Sequence, residues 1–536
     1  MRRRFGAWRD CLHWRHELFP PWRIPVSFAP VARYNRCRPA RVPENQQDND
    51  MTHHAGRLGL GLCLAAGLLV GTIATGQERK MILEERALTT TPKNHDMDNN
   101  ENFSADGRYI CYDTREMVGP GIDNGQSIEL LEVATGREII LYRPAQSVTG
   151  EKPAPGVGAV SFNPSGREVA FIHGPMVDEV PWRGPYGKPN RTGARAATDG
   201  EVVQQDGEWR MLKEGAFSLL WYDKRDIATD RDTQPGAHRG GTHRHEFCAT
   251  GKRIGFTYDD FLLKEYDRTI GYMERHPRAP KGALCWFATL VAVPPMGQAK
   301  PGEIEKAYGD SWVDPEGTMR AFIGKVRNDD GQGYEESLFV VDIPESVDIT
   351  TADSGSAKRY PAPPKGLTVR RLTHDWAGGV VRGAPDGSRI AYFGKDAAGD
   401  TQVFVIAANG SDKSDDPALR PVQVTKIPSG IETCLRWHPS GRTIFVAVQG
   451  GIDAVCVAPG PRFGETVQLT PRGDGAPRHA LVVSPDGRTI AYNRLIPTKG
   501  PDGNVAKNYA GLDMKQILAI DFPDTDRDGM IDADKS

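Results

Sequence analysis

His238-Arg239-Gly240-Gly241-Thr242-His243-Arg244-His245-Glu246-Phe247 gathers three imidazoles, two guanidinium groups and two carboxylate or hydroxyl groups into ten residues. Side chains two apart on a strand share a face, so His243 and His245 are expected to point the same way, in line with Phe247. Imidazoles with a carboxylate nearby can hold Mn, Zn or Fe, or one imidazole can accept a proton in catalysis. The competing reading is that a His-x-His strand simply packs, with Gly240 and Gly241 letting it approach its neighbours. The functional reading predicts an open pair whose rings face a common space, and it makes His243 and His245 the candidate catalytic and metal-holding residues. Arg239, Arg244 and Arg478 would then supply positive charge for an anionic ligand.

A second cluster closes the chain. Asp524-Thr525-Asp526-Arg527-Asp528-Gly529-Met530-Ile531-Asp532 follows the opening of a calcium loop, with carboxylates in alternate places, a bend glycine and an apolar residue after it. Lys535 stands where the bidentate glutamate of such a loop belongs, so Asp524, Asp526, Asp528 and Asp532 are expected to bind calcium weakly, or to form a solvated acidic tail.

The elements that must position these groups are hairpins. Val482-Val483-Ser484-Pro485-Asp486-Gly487 leads into Arg488-Thr489-Ile490-Ala491-Tyr492, with the residues a tight type I turn asks for. The same grammar recurs with turn glycines at 107, 166, 251, 317, 387, 441 and 487. The shortest interval, 46 residues, matches one four-stranded propeller blade, and the longer ones leave room for loops. Seven hairpins predict an all-β, seven-bladed propeller. The last blade stops after three strands at 516–520, and a Leu-Thr strand signal near 85–91 has no blade before it. Residues 85–91 are therefore expected to supply the missing outer strand and clasp the ring shut.

First strands line a propeller's channel, so the equivalent levels of different blades can be compared. Eight residues before their turn glycines stand His243 and His479, and seven before its own stands Asp310. Asp310 is expected to join the blade-three pair as a metal ligand, and His479 to offer a ligand-binding imidazole at the same level. Long excursions near 174–215 and 259–282 mark one rim as a binding surface, while 344–367 reads as a plain surface connection.

Composition bounds the rest. With 67 basic and 70 acidic residues there is no global field to attract nucleic acid. Residues 1–50 carry ten arginines and no lysine up to Val42, without usable periodicity, and read as a disordered extension upstream of the true start. Met51 opens a better beginning: Arg57, an apolar run from Leu58 to Val70, and Ala74-Thr75-Gly76 lay out a secretory signal peptide over 51–76. The run is short of the ~20 residues a spanning helix needs, so no transmembrane segment is expected after cleavage. The propeller then covers 77–523 and the tail 524–536, with a periplasmic or secreted address. The later cysteines, Cys111, Cys248, Cys285, Cys434 and Cys456, show neither CxxC nor a disulfide ladder, and read as free buried thiols. There is no Gly-x-Ser-x-Gly elbow, P-loop or HExxH.

The repeats resemble TolB-like propellers. Asn102-Phe103-Ser104-Ala105-Asp106-Gly107, Phe171-Ile172-His173-Gly174-Pro175, Arg239 to His245, Gly255-Phe256-Thr257-Tyr258, His276-Pro277-Arg278 and Ala321-Phe322-Ile323-Gly324 look like the YidR-type seven-bladed propellers. That family implies the fold and no activity. Oligogalacturonate lyases are a fainter likeness, through His243-x-His245-x-Phe247. In them histidines hold a divalent metal and another histidine acts as base. Two readings follow: a monomeric exported propeller that binds a protein or glycan at its channel mouth, and a metal-assisted lyase or hydrolase of acidic oligosaccharides.

Overall fold

The computed structural model describes residues 79–97, 101–116, 121–213, 220–524 and 526–532. The Arg-rich extension and the signal-peptide reading of 51–76 lie outside them. Each hairpin turn forms as its residues dictate. In the last, Gly487 at φ +77° donates to the Ser484 carbonyl at 2.9 Å, and Asp486 accepts from the Ser484 hydroxyl and the Arg488 amide. The first repeats this pattern with Ser104, Asp106 and Gly107.

Seven sheets of four or five strands follow from the seven turns among the described residues. Blade seven runs outward from His479–Val483 through Thr489–Ile496 and Met514–Asp521, and its outer strand is Arg86–Ala87, antiparallel to the last. The ring is closed by the N-terminal strand as the sequence predicts. The clasp also grips the neighbouring blade, because Arg79–Lys80 adds a parallel strand to Thr466–Gln468 of blade six. Glu85, between the two short strands, pairs with the buried Arg478. The apolar clusters fill the gaps between successive sheets: Phe445 and Ile452 of blade six meet Ile490 and Tyr492 of blade seven, and Val482 and Ala491 of blade seven meet Ile110 and Tyr112 of blade one. Burying one such side chain contributes roughly 1.5–3 kcal/mol, and the ring shape leaves no blade without two partners.

Two segments differ from expectation. Within blade two's long excursion, Glu201–Gln205 and Glu208–Leu212 form a hairpin that extends blade one outward, parallel to Arg137–Tyr142. Residues 344–367 are no plain connection. They cross to blade three, burying Ile349 and Tyr360, and Tyr360 stacks on Tyr266 at 4.3 Å between centroids. Such packing depends on partners far away in sequence, so local composition carries no sign of it. The five later cysteines are free, four of them buried and Cys434 partly so, as expected. Among the described residues no helix is long and apolar enough to cross a membrane.

One feature of the inner strands controls everything in the channel. Among the described residues, inner strands in six blades carry a residue at positive φ: Ala159, Arg244, Gly309, Gly379, Cys434 and Ala480. The pairing register with the second strand shifts beside each of them. This is a bulge, which bends the strand and re-aims the side chains on either side of it. Beyond the bulge, polar groups tie neighbouring blades together. The Ser161 hydroxyl donates to the His245 carbonyl at 2.8 Å, Trp312 Nε1 to the Glu246 carbonyl at 2.9 Å, Trp437 Nε1 to the Arg382 carbonyl at 3.0 Å and Arg436 Nε to the Leu481 carbonyl at 2.8 Å.

Candidate functional site

The bulge at Arg244, φ +61°, separates the two histidines that strict alternation would place together. His245 is fully buried. Its Nε2 lies 3.1 Å from the Thr242 hydroxyl, which donates to Asp223 at 2.6 Å, and His238 stands 3.5 Å from the same carboxylate. Across the blade boundary a Cβ on Gly193 would come within 2.7 Å of His245 Nε2, so that position must lack a side chain. Burial lowers the His245 pKa to about 4, with Asp223 pulling the other way. His245 is thus a neutral packing residue between blades two and three. His243 is only partly buried. Burial and the guanidinium groups of Arg191, Arg268, Arg244 and Arg115 hold its pKa well below the usual imidazole range. The bulge leaves the two rings in different surroundings, His245 enclosed and His243 half-buried, rather than as the open pair that alternation predicts.

The other expected members fall elsewhere. Asp310 is buried and takes Nε of Arg320 at 2.7 Å, while Arg320 also lies 3.1 Å from Glu246. A Cβ on Gly255 would strike the Arg320 guanidinium, so that glycine makes room for the ion pair. Arg239, expected on the rim, is fully buried against Asp260 and the Arg359 carbonyl. Arg478, also expected to meet ligand, is buried between Glu85 and Asp474, where it holds the clasp. His479 is partly buried beside Asp96 and Lys515, its Nδ1 3.4 Å from the Pro477 carbonyl, with burial lowering its pKa. Gly240 and Gly241 admit backbone: a Cβ on the first would strike the Asp259 carbonyl and one on the second the Lys188 carbonyl.

Among the described residues, the group able to converge on a metal is Asp524, Asp526 and Asp532, whose carboxylate oxygens lie within 4.8 Å of one another. Asp528 turns aside to Arg442 at 3.1 Å and accepts from the Met530 amide at 2.8 Å. This loop docks on blade six through the Gly529 carbonyl, which accepts from Thr443 at 2.7 Å, and through buried Ile531. With His245 enclosed between blades and Asp310 held by Arg320, a metal centre on His243, His245 and Asp310 does not fit this arrangement.

The channel's main cavity lies on the turn side, about 420 Å³, with lining from every blade. Its mouth is ringed by the turn residues Ala105, Pro164, Ala249, Pro315, Pro385, Pro439 and Pro485. Deeper from this apolar collar come Phe103, Phe247 and Trp437, and the lining also holds Trp312, Glu101, Glu246, Arg382 and Arg436. Counting five back from each turn glycine reaches Asn102, Ser161, Glu246, Trp312, Arg382, Arg436 and Val482. That alignment was available in the sequence and would have found the charged level, whereas the levels seven and eight back belong to the far side of the bulge.

Charge in this cavity is crowded. Burial and the neighbouring Arg436 and Arg244 push the Arg382 pKa well down, and burial with Arg244 brings Arg436 to about 10. Arg244 lies in blade three and the other two in blades five and six; its charge acts on both of them and on His243 as well. Glu101 faces channel solvent but is walled in by protein. Burial and Glu246 push its carboxyl up, and Arg436 and Arg382 pull it back. In the lining Arg382 and Arg436 stand against the carboxylates of Glu101 and Glu246, and buried Arg320 ties Glu246 to Asp310 behind it.

A family model described as a protein of unknown function, DUF3748, matches residues 156–278, the stretch that supplies blade two and most of blade three. The chain is 28% identical over 446 residues to the uncharacterized protein YidR of Escherichia coli strain K12, covering 78% of this chain and 95% of YidR. The chain thus resembles YidR along most of its length, as its motifs imply. Among solved structures, an oligogalacturonate lyase from Vibrio parahaemolyticus is similar with a TM-score of 0.44 and 9% identity, over 84% of this chain and all of that one. TolB from Acinetobacter baumannii is similar with a TM-score of 0.33 and 13% identity, over 78% of this chain and 81% of its own. Neither similarity bears on chemistry.

Proposed function

We propose that this chain is an exported binding module that takes the acidic end of a glycan or protein ligand into the turn-side cavity. The observation that carries the reading is the convergence of Arg382 and Arg436 under an apolar collar, with Arg244 close enough to depress both. Mutually repelling buried guanidinium groups are stabilised by an incoming carboxylate, which forms short charge-assisted hydrogen bonds with them. The collar of proline and aromatic residues suits the apolar face of a sugar ring or an aliphatic stem behind that carboxylate. A cavity of about 420 Å³ falls within the range of small-ligand sites, ~300–1,000 Å³. Export rests on the signal-like segment at 51–76.

The test is calorimetric titration of the full chain with an oligogalacturonate, the neutral oligosaccharide of equal length and an acidic peptide. A carboxylate-dependent signal is expected, falling about a hundredfold in affinity when Arg382→Met and Arg436→Met are combined, since each charged contact contributes ~1.5–3 kcal/mol. Equal binding of neutral and acidic ligands, or an unaffected double variant, would overturn the reading. The lyase alternative has no metal group at His243 and His245 in its favour. The C-terminal loop is a separate, weak calcium site in this reading, with Asp524, Asp526 and Asp532 as its carboxylates.

A further inference from the structure

At the channel's opposite mouth, on the far side of the bulges, the excursion of blade two folds over blade three. Asn190 pins it: its side-chain amide donates to the carbonyls of Arg183, Gly184 and Pro185 at 3.2, 3.0 and 2.8 Å, and its oxygen accepts from Arg183 Nε at 2.8 Å. The next residue, Arg191, is thereby fixed. Its backbone amide would lie 3.0 Å from a Cβ on Gly241, two residues before His243.

The Arg191 side chain is 8% exposed, and its Nε and Nη1 are enclosed without a hydrogen-bond acceptor. Among the described residues it forms no ion pair, and its guanidinium instead lies over the Tyr186 ring at 5.0 Å. Tyr186 is wedged against blade two, where a Cβ on Gly174 or Gly156 would strike its ring. His243 stands on the adjoining strand with its Nδ1 enclosed and lacking a partner. Of the other guanidinium groups acting on this ring, Arg268 pairs with Asp259 at 2.8 Å and Arg115 with Asp113 at 2.5 Å, and the third, Arg244, follows His243 in the bulge. A buried guanidinium with unmet donors is costly unless something supplies acceptors.

The geometry points to a second anion site at this mouth, in which Arg191 and His243 receive an oxyanion, a carboxylate or a phosphate ester group, with Tyr186 holding the guanidinium in place. This site shares no lining residue with the turn-side cavity and does not rest on the function proposed for it. Arg191 would donate through its planar fork, and His243 through whichever ring nitrogen carries hydrogen. Burial first and the surrounding guanidinium groups second hold the His243 pKa low, and an anion beside the ring would raise it.

The experiment is ring-nitrogen NMR of His243 in the full chain, assigned with His243→Gln, during titration with inorganic phosphate and, separately, monomeric galacturonate. A saturable shift of the His243 signal toward the protonated form is expected with at least one anion, and the comparison tells phosphate from carboxylate. Arg191→Met should weaken that response about tenfold or more, as loss of a charge-assisted donor pair requires. Arg382→Met should leave it unchanged even where turn-side binding is lost. If Arg191→Met melts early, Arg191→Lys replaces it, and partial loss is then expected because the fork is gone. A His243 signal indifferent to both anions, or an affinity untouched by the Arg191 substitutions, overturns the site.

Discussion

The two mouths of the channel are built in opposite ways. The turn-side cavity takes one or more residues from each of the seven blades, and its collar is the hairpin turns themselves. The opposite mouth, where His243 stands, is local: blade two's excursion, blade three's inner strand and the loop before Arg268 make it. A ring site depends on closure, since one missing blade opens its wall, whereas a local site depends on how one excursion is pinned. Buried charge also differs. At the turn side guanidinium groups and carboxylates share one solvent space, while the residues first expected to meet ligand, Arg239 and Arg478, are each locked in an ion pair that holds elements together.

The hardest blow to this comparison is removal of the clasp. Deleting residues 79–92 takes away the outer strand of blade seven, the extra strand of blade six and the Glu85 partner of Arg478. One cooperative loss of the whole ring is expected in a thermal melt, with turn-side binding lost alongside. A truncated protein that melts like the full chain would mean that the ring closes without its clasp.

Next in size is Arg239→Ala. It leaves Asp260 buried without its cation, and about 3–5 kcal/mol of stability should go, read by denaturant unfolding. Unchanged stability with weakened ligand binding would return Arg239 to the binding surface.

A pH titration of stability reads the His245 contribution through its variant. The His245 ring has a folded pKa of about 4 against roughly 6.5 when unfolded, so the unfolded chain takes up the proton first. Its contribution is complete above about pH 6.5 and is lost as pH falls toward 4, amounting to about 3 kcal/mol. His245→Asn should flatten that part of the curve relative to wild type, even if it lowers the plateau. A curve of the same shape in both proteins would show that His245 is not held neutral in the fold.

The smallest effect belongs to the C-terminal loop. Calcium is expected to raise the melting temperature of blade six's surroundings slightly, and Asp524→Ala to abolish the rise. Asp528→Ala should matter less, because Asp528 pairs with Arg442. A calcium effect that survives Asp524→Ala, or none in the wild type, would leave the loop as a packed acidic turn.

The sequence by itself determined the seven turns, the blade order and the clasp. Ser, Pro, Asp and Gly act on their own backbone within four residues, so Ser484 to Gly487 states its turn without help from the rest of the chain. Inward level was legible in principle as well, because equal distance from a turn glycine means equal height: Glu246, Arg382 and Arg436 stand at the same count. The tertiary structure decided the direction of each side chain beyond the bulge. At Arg244 one residue in the left-handed region ends the alternation that put His243 and His245 on one face, and that conformation carries no signature in an arginine. It also decided which charges are spent on the fold. Arg239 and Arg320 find Asp260 and Asp310 across the strands of their own hairpins, Arg478 finds Glu85 only when the two ends of the propeller meet, and Arg191 meets no carboxylate among the described residues. Pairing of charges is a property of three-dimensional proximity, which local pattern does not encode.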